Sequence, residues 1–265
     1  MIAANCPGGG IALLAFVFAL GAAQAAPALT GREIVEKADK ANRARDEMVE
    51  SIMYLISPGG QQRVRKMVTW SKSGEGDDDM ILIRFLAPPD IKDTGLLTIE
   101  EGGRDNQLLY LPELRRSKRL AGASKAASFV GSDFSNYDMR TEDLANHDYE
   151  LLGEEAVEGR PCYKVVARPR TEQTREESGY ARRILWIDKE RWVPVKVEYF
   201  DRNDRPLKVL VASDYKQIQG LWRAHRIEVR NLQQGSKTIL IQNPERKINQ
   251  GLPDSHFSRR SLENP

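Results

Sequence analysis

DNQLLYLPELRRSKRLAGASKAASFVGSDFSNYDMRT, Asp105 to Thr141, is the stretch around which the rest of the chain is organised. It opens on an apolar strand, Leu108 to Leu111, that stops at Pro112 because proline removes a ladder donor. Four cations follow within five residues, Arg115, Arg116, Lys118 and Arg119. Small residues come next, and then an aromatic and acidic segment holding Phe129, Phe134 and Tyr137. A hairpin loop has about two to five residues. This stretch is far longer and carries apolar side chains of its own, so it reads as a binding segment or lid, with part of Ala123 to Leu144 helical.

Working outward, both flanks read as strands. Toward the N-terminus these are Met48 to Ile56, Gln61 to Trp70, Met80 to Leu86 and Leu96 to Ile99, separated by Gly, Pro and Asp clusters. Ile81, Ile83 and Phe85 oppose Arg84 with a period of two. Toward the C-terminus, strands recur from Tyr149 to Gln242, broken at turns such as Asp201-Arg202-Asn203-Asp204-Arg205. The total is about eleven strands at the spacing of a sandwich or barrel. No βαβ alternation occurs, so short turns imply antiparallel meanders. Thr30 to Met48 reads as a helix, with Thr30 and Glu33 at capping-box spacing.

One parity of the later strands is apolar: Val193, Val195, Val197 and Tyr199, then Val209 and Val211. The other parity holds Lys196, Glu198 and Lys208. A sheet with one such face must have it covered. An open or closed barrel of this many strands is too wide for its own side chains to fill. The expected product is an apolar cavity lined by Ile81, Ile83, Phe85 and the six residues just named. Its mouth would be plugged by Phe129, Asp133, Phe134 and Tyr137 and rimmed by the Arg115, Arg116, Lys118 and Arg119 cluster. A filled core is the alternative. Asp133 is expected to cap a lid helix or to pair with one of the arginines. The basic cluster is either a solvated edge that blocks strand pairing or a contact for lipid phosphate or an acidic partner.

The 265 residues carry 40 Lys and Arg against 38 Asp and Glu, a net charge of +2 that gives no footprint for nucleic acid. Ile11 to Ala23 is an apolar run followed by Ala23-Gln24-Ala25, the layout of a cleaved secretory signal, although Met1 to Gly10 lacks the usual cation. The expected organisation is a signal at 1–25 and a single domain at 26–265, exported and unanchored. Cys6 lies in the signal, which leaves Cys162 alone and expected to be a buried structural thiol. His147, His225 and His256 have no metal spacing. No catalytic residue, metal or cofactor is expected, and the chain does not read as an enzyme.

Pro89-Asp90-Ile91-Lys92-Asp93-Thr94-Gly95, Leu109-Tyr110-Leu111-Pro112-Glu113-Leu114-Arg115-Arg116 and Gly131-Ser132-Asp133-Phe134-Ser135 together carry a family likeness. It continues in Gly159-Arg160-Pro161-Cys162-Tyr163, Trp186-Ile187-Asp188 and Trp192-Val193-Pro194, and reaches Phe257 and Leu262. In these motifs the chain resembles the bacterial outer-membrane lipoprotein-sorting proteins of the LolA/LolB-like superfamily, departing from them at Leu108. The resemblance implies a mainly β, α+β fold: an antiparallel, unclosed half-barrel covered by a helical lid or plug. It implies a monomeric periplasmic carrier of lipoprotein acyl chains or other lipid, in transient contact with the membrane. The partner would be an inner-membrane transporter of the resistance-nodulation-division type. The competing expectation is a non-catalytic periplasmic adaptor that docks on such an exporter or on an envelope complex.

Overall fold

A computed structural model describes residues 1, 28–74, 78–101, 104–141 and 143–264. The predicted signal at 1–25 lies almost wholly outside them. The chain is mainly antiparallel β. Six strands run first: β1 (Asp46–Ile56), β2 (Gln62–Ser73), β3 (Asp79–Ala87), β4 (Gly95–Glu101), β5 (Arg104–Leu111) and β6 (Arg116–Leu120). After a crossing segment come β7 (His147–Val157), β8 (Arg160–Pro169), β9 (Tyr180–Asp188), β10 (Pro194–Asp201), β11 (Pro206–Ile218), β12 (Leu221–Asn231) and β13 (Lys237–Gln242), with a two-residue β14 (Lys247–Ile248) beside β1. The helices are α1 (Gly31–Ala41), α2 (Glu172–Ser178) and α3 (Arg259–Glu263).

The strand order is β6-β5-β4-β3-β2-β1-β13-β12-β11-β10-β9-β8-β7. Two meanders therefore join through β1 and β13, and among the described residues the edges of the path are β6 and β7. Residues 121–146 connect those two edges. The sheet has fourteen strands rather than about eleven, the added ones including β6, which is built from the basic cluster itself. Charged side chains on an edge strand discourage a second chain from pairing there.

Helix α1 keeps the predicted capping box. Thr30 Oγ1 accepts from Glu33 N at 3.2 Å, and the Glu33 carboxylate accepts from Thr30 N at 2.8 Å. It ends at Ala41 rather than Met48, because Asn42 is recruited by other elements. Its side chain donates to Arg191 and Trp192 carbonyls and accepts from Trp222 N. Ile34 and Val35 are buried against the wall of β8–β10. Gly31 is obligatory there: a Cβ would stand 2.7 Å from the backbone of Glu150 and Leu151 in β7.

Both sides of the sheet are packed. On the inner side, Ile83, Phe85, Leu96, Met53 and Leu240 form one cluster with Phe129 and Phe134 of the crossing segment. Val165, Leu185, Val197 and Tyr199 form a second with Ile34, Tyr137 and Leu144. On the outer side, the C-terminal segment covers β3–β5, with Phe257 and Leu262 against Leu82, Leu97 and Tyr110. Gly95 permits this cover, since a Cβ would sit 2.7 Å from Leu262 Cδ1. Cys162 is buried and free in a further outer cluster with Trp186.

Candidate functional site

The crossing segment lies over the inner side of the sheet as a plug. Its described residues contain no α-helix, contrary to the expectation of a helical lid, but three single 3₁₀ turns at Gly122–Ser124, Tyr137–Met139 and Leu144–Asn146. Its backbone groups find partners in tight local turns instead. Phe129 N donates to Phe134 O at 2.8 Å, and Ser132 N to Phe129 O at 3.0 Å. The turn presents Phe129 to the wall, where its ring stacks on Phe85 at 5.6 Å between centroids. Phe129, Phe134 and Tyr137 are all buried.

Polar contacts pin the plug to both walls. Asp133 neither caps a helix nor pairs with an arginine. Its carboxylate accepts from Ser236 Oγ at 2.5 Å and Thr238 Oγ1 at 2.7 Å, next to and on β13. Lys208 of β11 donates to Asp133 O at 2.9 Å and to Asp138 Oδ2 at 2.6 Å. Tyr180 OH donates to Asp138 at 2.9 Å. Burial acts to raise the Asp138 carboxyl, yet Lys208 with the Ser135 and Tyr180 donors holds it below the usual range. Burial and the Asp138 charge push the Tyr180 phenol well up, so it stays a donor. On the other wall, Lys125 bridges Asp105 of β5 at 2.5 Å and Glu177 of α2 at 2.8 Å. Arg140 stacks over the Tyr137 ring at 3.9 Å and stands 3.5 Å from Glu100 and 3.8 Å from Asp105.

Two clefts flank the plug. One of about 720 Å³ lies between the β1–β2 turn, the Ala126–Ser135 part of the plug, and β11 and β13. The other, about 490 Å³, lies in the break between β6 and α2, with Glu100, Asp105 and Arg140 among its walls. Neither is the apolar cavity expected from the strand pattern, because the plug aromatics occupy the interior.

The expected cavity residues divide. Ile83 and Phe85 lie in the first inner cluster with Ile81 packed against it, and Val197 and Tyr199 lie in the second. Val193 and Val195 instead pack on the outer side with Cys162 and Trp186. A register shift between Pro194 and Lys196 turns the pleat over at that point. Val209 and Val211 also face outward, opposite Glu198 and Lys196. A second shift at Tyr199 and Phe200 puts buried Lys208 on the inner side, the reverse of the expected parity. Arg115, Arg116, Lys118 and Arg119 are exposed on or next to edge strand β6, and of these Arg119 reaches the second cleft. Lys208, Asp138, Tyr180, Lys125 and Arg140 were not read as site residues. Lys125 precedes the plug aromatics, Asp138 and Arg140 follow them, and Tyr180 and Lys208 lie on distant strands, so no local pattern groups the five. Among the described residues no group of three His, Cys, Asp or Glu is placed to hold a metal.

Asp133→Ala removes the acceptor of two hydroxyl donors and frees the tip of the plug from β13. Amide hydrogen exchange across 126–136 should rise, with about 1–2 kcal/mol of stability lost. Unchanged exchange there would show that the tip is held by its aromatics alone.

Known proteins agree with this architecture. A family model described as an uncharacterized protein spans residues 77–264. An outer membrane lipoprotein-sorting protein domain from Vibrio parahaemolyticus is 30% identical, with a TM-score of 0.82 over 88% of this chain and 98% of its own. A DUF1329 family protein from Desulfovibrio piger is 31% identical at the same TM-score, over 88% and 97%. A LolA superfamily protein from Nitrosomonas europaea, at 20% identity and a TM-score of 0.69, shares the fold over 88% of this chain and all of its own. No curated protein matches the chain. With two such relatives aligned over almost their whole length, this chain belongs to the family of that outer membrane lipoprotein-sorting protein domain and that DUF1329 protein.

Proposed function

We propose that this protein is a non-catalytic periplasmic carrier. It takes the acyl chains of a lipoprotein or lipid into the interior that the plug fills, and passes them from an inner-membrane transporter toward the outer membrane. One observation supports this above the others: the filling is a separate segment, with no α-helix or sheet strand among its described residues, tied to the walls by side-chain polar contacts. Such a segment can leave as a unit. Withdrawal of Phe129, Phe134 and Tyr137 would open an apolar surface, and an aromatic side chain buries roughly 150–250 Å². An acyl chain would recover the loss at about 0.8 kcal/mol per methylene. The 1–25 signal would deliver the chain to the periplasm, and a transporter of the resistance-nodulation-division type would be its donor, as the family resemblance implies.

The filled interior also favours a second reading, an adaptor that docks on an envelope complex and carries nothing. Native mass spectrometry of the mature protein, purified from a lysate that retains its membranes, separates the two. The carrier should retain an acylated ligand, released when the protein is denatured. A bare mass, together with no displacement of a fluorescent acyl probe, would favour the adaptor.

A further inference from the structure

Among the described residues the strand path is open between β6 and β7, and the cleft of about 490 Å³ lies there. Its walls are amphipathic. Leu120 belongs to the first inner cluster and Tyr137 to the second, so the cleft borders both apolar halves of the interior. Around them stand charged groups that are buried but incompletely bonded. The Arg140 side chain is 5% exposed and its Nε has no hydrogen-bond partner. Glu100 is 6% exposed with Oε1 unbonded, and Asp105 Oδ2 is likewise unbonded. Lys125 is fully engaged between Asp105 and Glu177, yet the Arg140 contacts at 3.5 and 3.8 Å are longer than hydrogen bonds. A buried guanidinium with an idle donor, facing acids with idle acceptors, is costly unless something completes it.

We propose that this break is the entry port of the carrier and that its cleft seats a zwitterionic phospholipid head group. The phosphate sits on Arg140 and the ammonium beside Lys125, not in its place, against the unbonded Asp105 Oδ2 and the Glu177 carboxylate, with the chains passing Leu120 and Tyr137 into the interior. The inference rests on the carrier reading above and names the class of lipid it takes. Both signs of charge line the cleft: Arg119, Lys125 and Arg140 against Asp105, Asp143 and Glu177. Glu100 is held largely neutral at pH 7, burial pushing it up to about 8. Among the described residues the wall is thus balanced, three charges against three. A head group of net charge would leave one charge unpaired at a partly desolvated site, whereas a phosphate and an ammonium together leave none. Arginine supplies the forked donor that phosphate accepts.

Titration calorimetry on the mature chain tests this with four probes: dihexanoyl phosphatidylethanolamine, dihexanoyl phosphatidylglycerol, dihexanoylglycerol and free phosphoethanolamine. The ethanolamine lipid should bind at least about tenfold tighter than the glycerol lipid, the loss expected for one hydrogen bond to a charged group. Free phosphoethanolamine should bind far more weakly than either. Arg140→Gln and Glu177→Gln should each weaken the ethanolamine lipid by about tenfold and leave dihexanoylglycerol unchanged. Equal affinity for both phospholipids, or a preference for the glycerol lipid, overturns the head-group assignment and leaves the carrier standing. Free phosphoethanolamine binding as tightly as its lipid overturns it too, in favour of a small-solute site. Failure of every probe, dihexanoylglycerol included, removes the carrier reading itself. If Arg140→Gln does not fold, Glu177→Gln on half-exposed α2 and the wild-type ranking decide.

Discussion

Replacing Lys208 by methionine lowers the unfolding free energy by about 3–5 kcal/mol, the loss typical of a buried ion pair broken on one side. Lys208 is 4% exposed and its ammonium joins three parts of the molecule: β11, the Asp133 carbonyl and the Asp138 carboxylate. It also lies over the Tyr199 and Tyr180 rings, at 4.9 and 5.3 Å. Methionine fills the space of the stem but strands a carboxylate in a site that burial already makes hostile to charge. Two controls separate the charge from the packing. Lys208→Met combined with Asp138→Asn keeps acceptors for Tyr180 and Ser135, removes both charges and should recover at least half of the loss. In the single variant the Asp138 carboxyl titrates above its unfolded value, so the deficit shrinks as the solution is acidified and the carboxyl takes up its proton. Urea titrations at neutral and acidic pH read both effects. A loss below about 1 kcal/mol, the scale of an exposed pair, would mean that Lys208 does not hold the plug.

Lys208 is also where sequence reading met its limit. Alternation assumes an uninterrupted pleat, and one extra residue on a strand transfers every later side chain to the other face. Two such shifts, at Pro194 to Lys196 and at Tyr199 to Phe200, moved Val193, Val195, Val209 and Val211 outward and drew Lys208 in. In VPVKVEYFDRNDRPLKVLV, Pro194 and Pro206 stand beside the two shifts, but a strand proline fits a strand start as well as a bulge, so alternation alone does not place them. Where the signal is local the reading holds. Thr30 and Glu33 form their box, and Ser57-Pro58-Gly59-Gly60 makes its turn between β1 and β2. The basic cluster escaped as a strand because strand patterning expects apolar residues, whereas an edge favours charge. The plug was legible as a long apolar insertion. Its lack of helix was not, because Phe129, Phe134 and Tyr137 are placed by contacts with distant walls and not by any period of their own.

The second large effect is electrostatic and has the opposite sign. Glu100→Gln should stabilise the protein at alkaline pH and flatten its stability between pH 5 and 8. Burial raises the Glu100 carboxyl to about 8, and the charges of Asp79, Asp105 and Asp143 add to this against the pull of Arg140. In the unfolded chain the same group titrates near 4.5. The folded protein therefore holds the proton more tightly. Its stability from this group is fully present below the unfolded value and is lost as pH rises through the folded one. Across that window the wild type should lose about 2–3 kcal/mol relative to the glutamine variant, at 1.36 kcal/mol per unit of separation and allowing for coupling to Arg140. Thermal or urea unfolding of both proteins at half-unit steps measures the difference, and the two curves should converge near pH 4. Parallel curves would mean that Glu100 is ionised in the fold, balanced by Arg140. The described acids and bases of the β6–β7 break would then carry a net negative charge, and the cleft would no longer suit a neutral pair of charges on a lipid head.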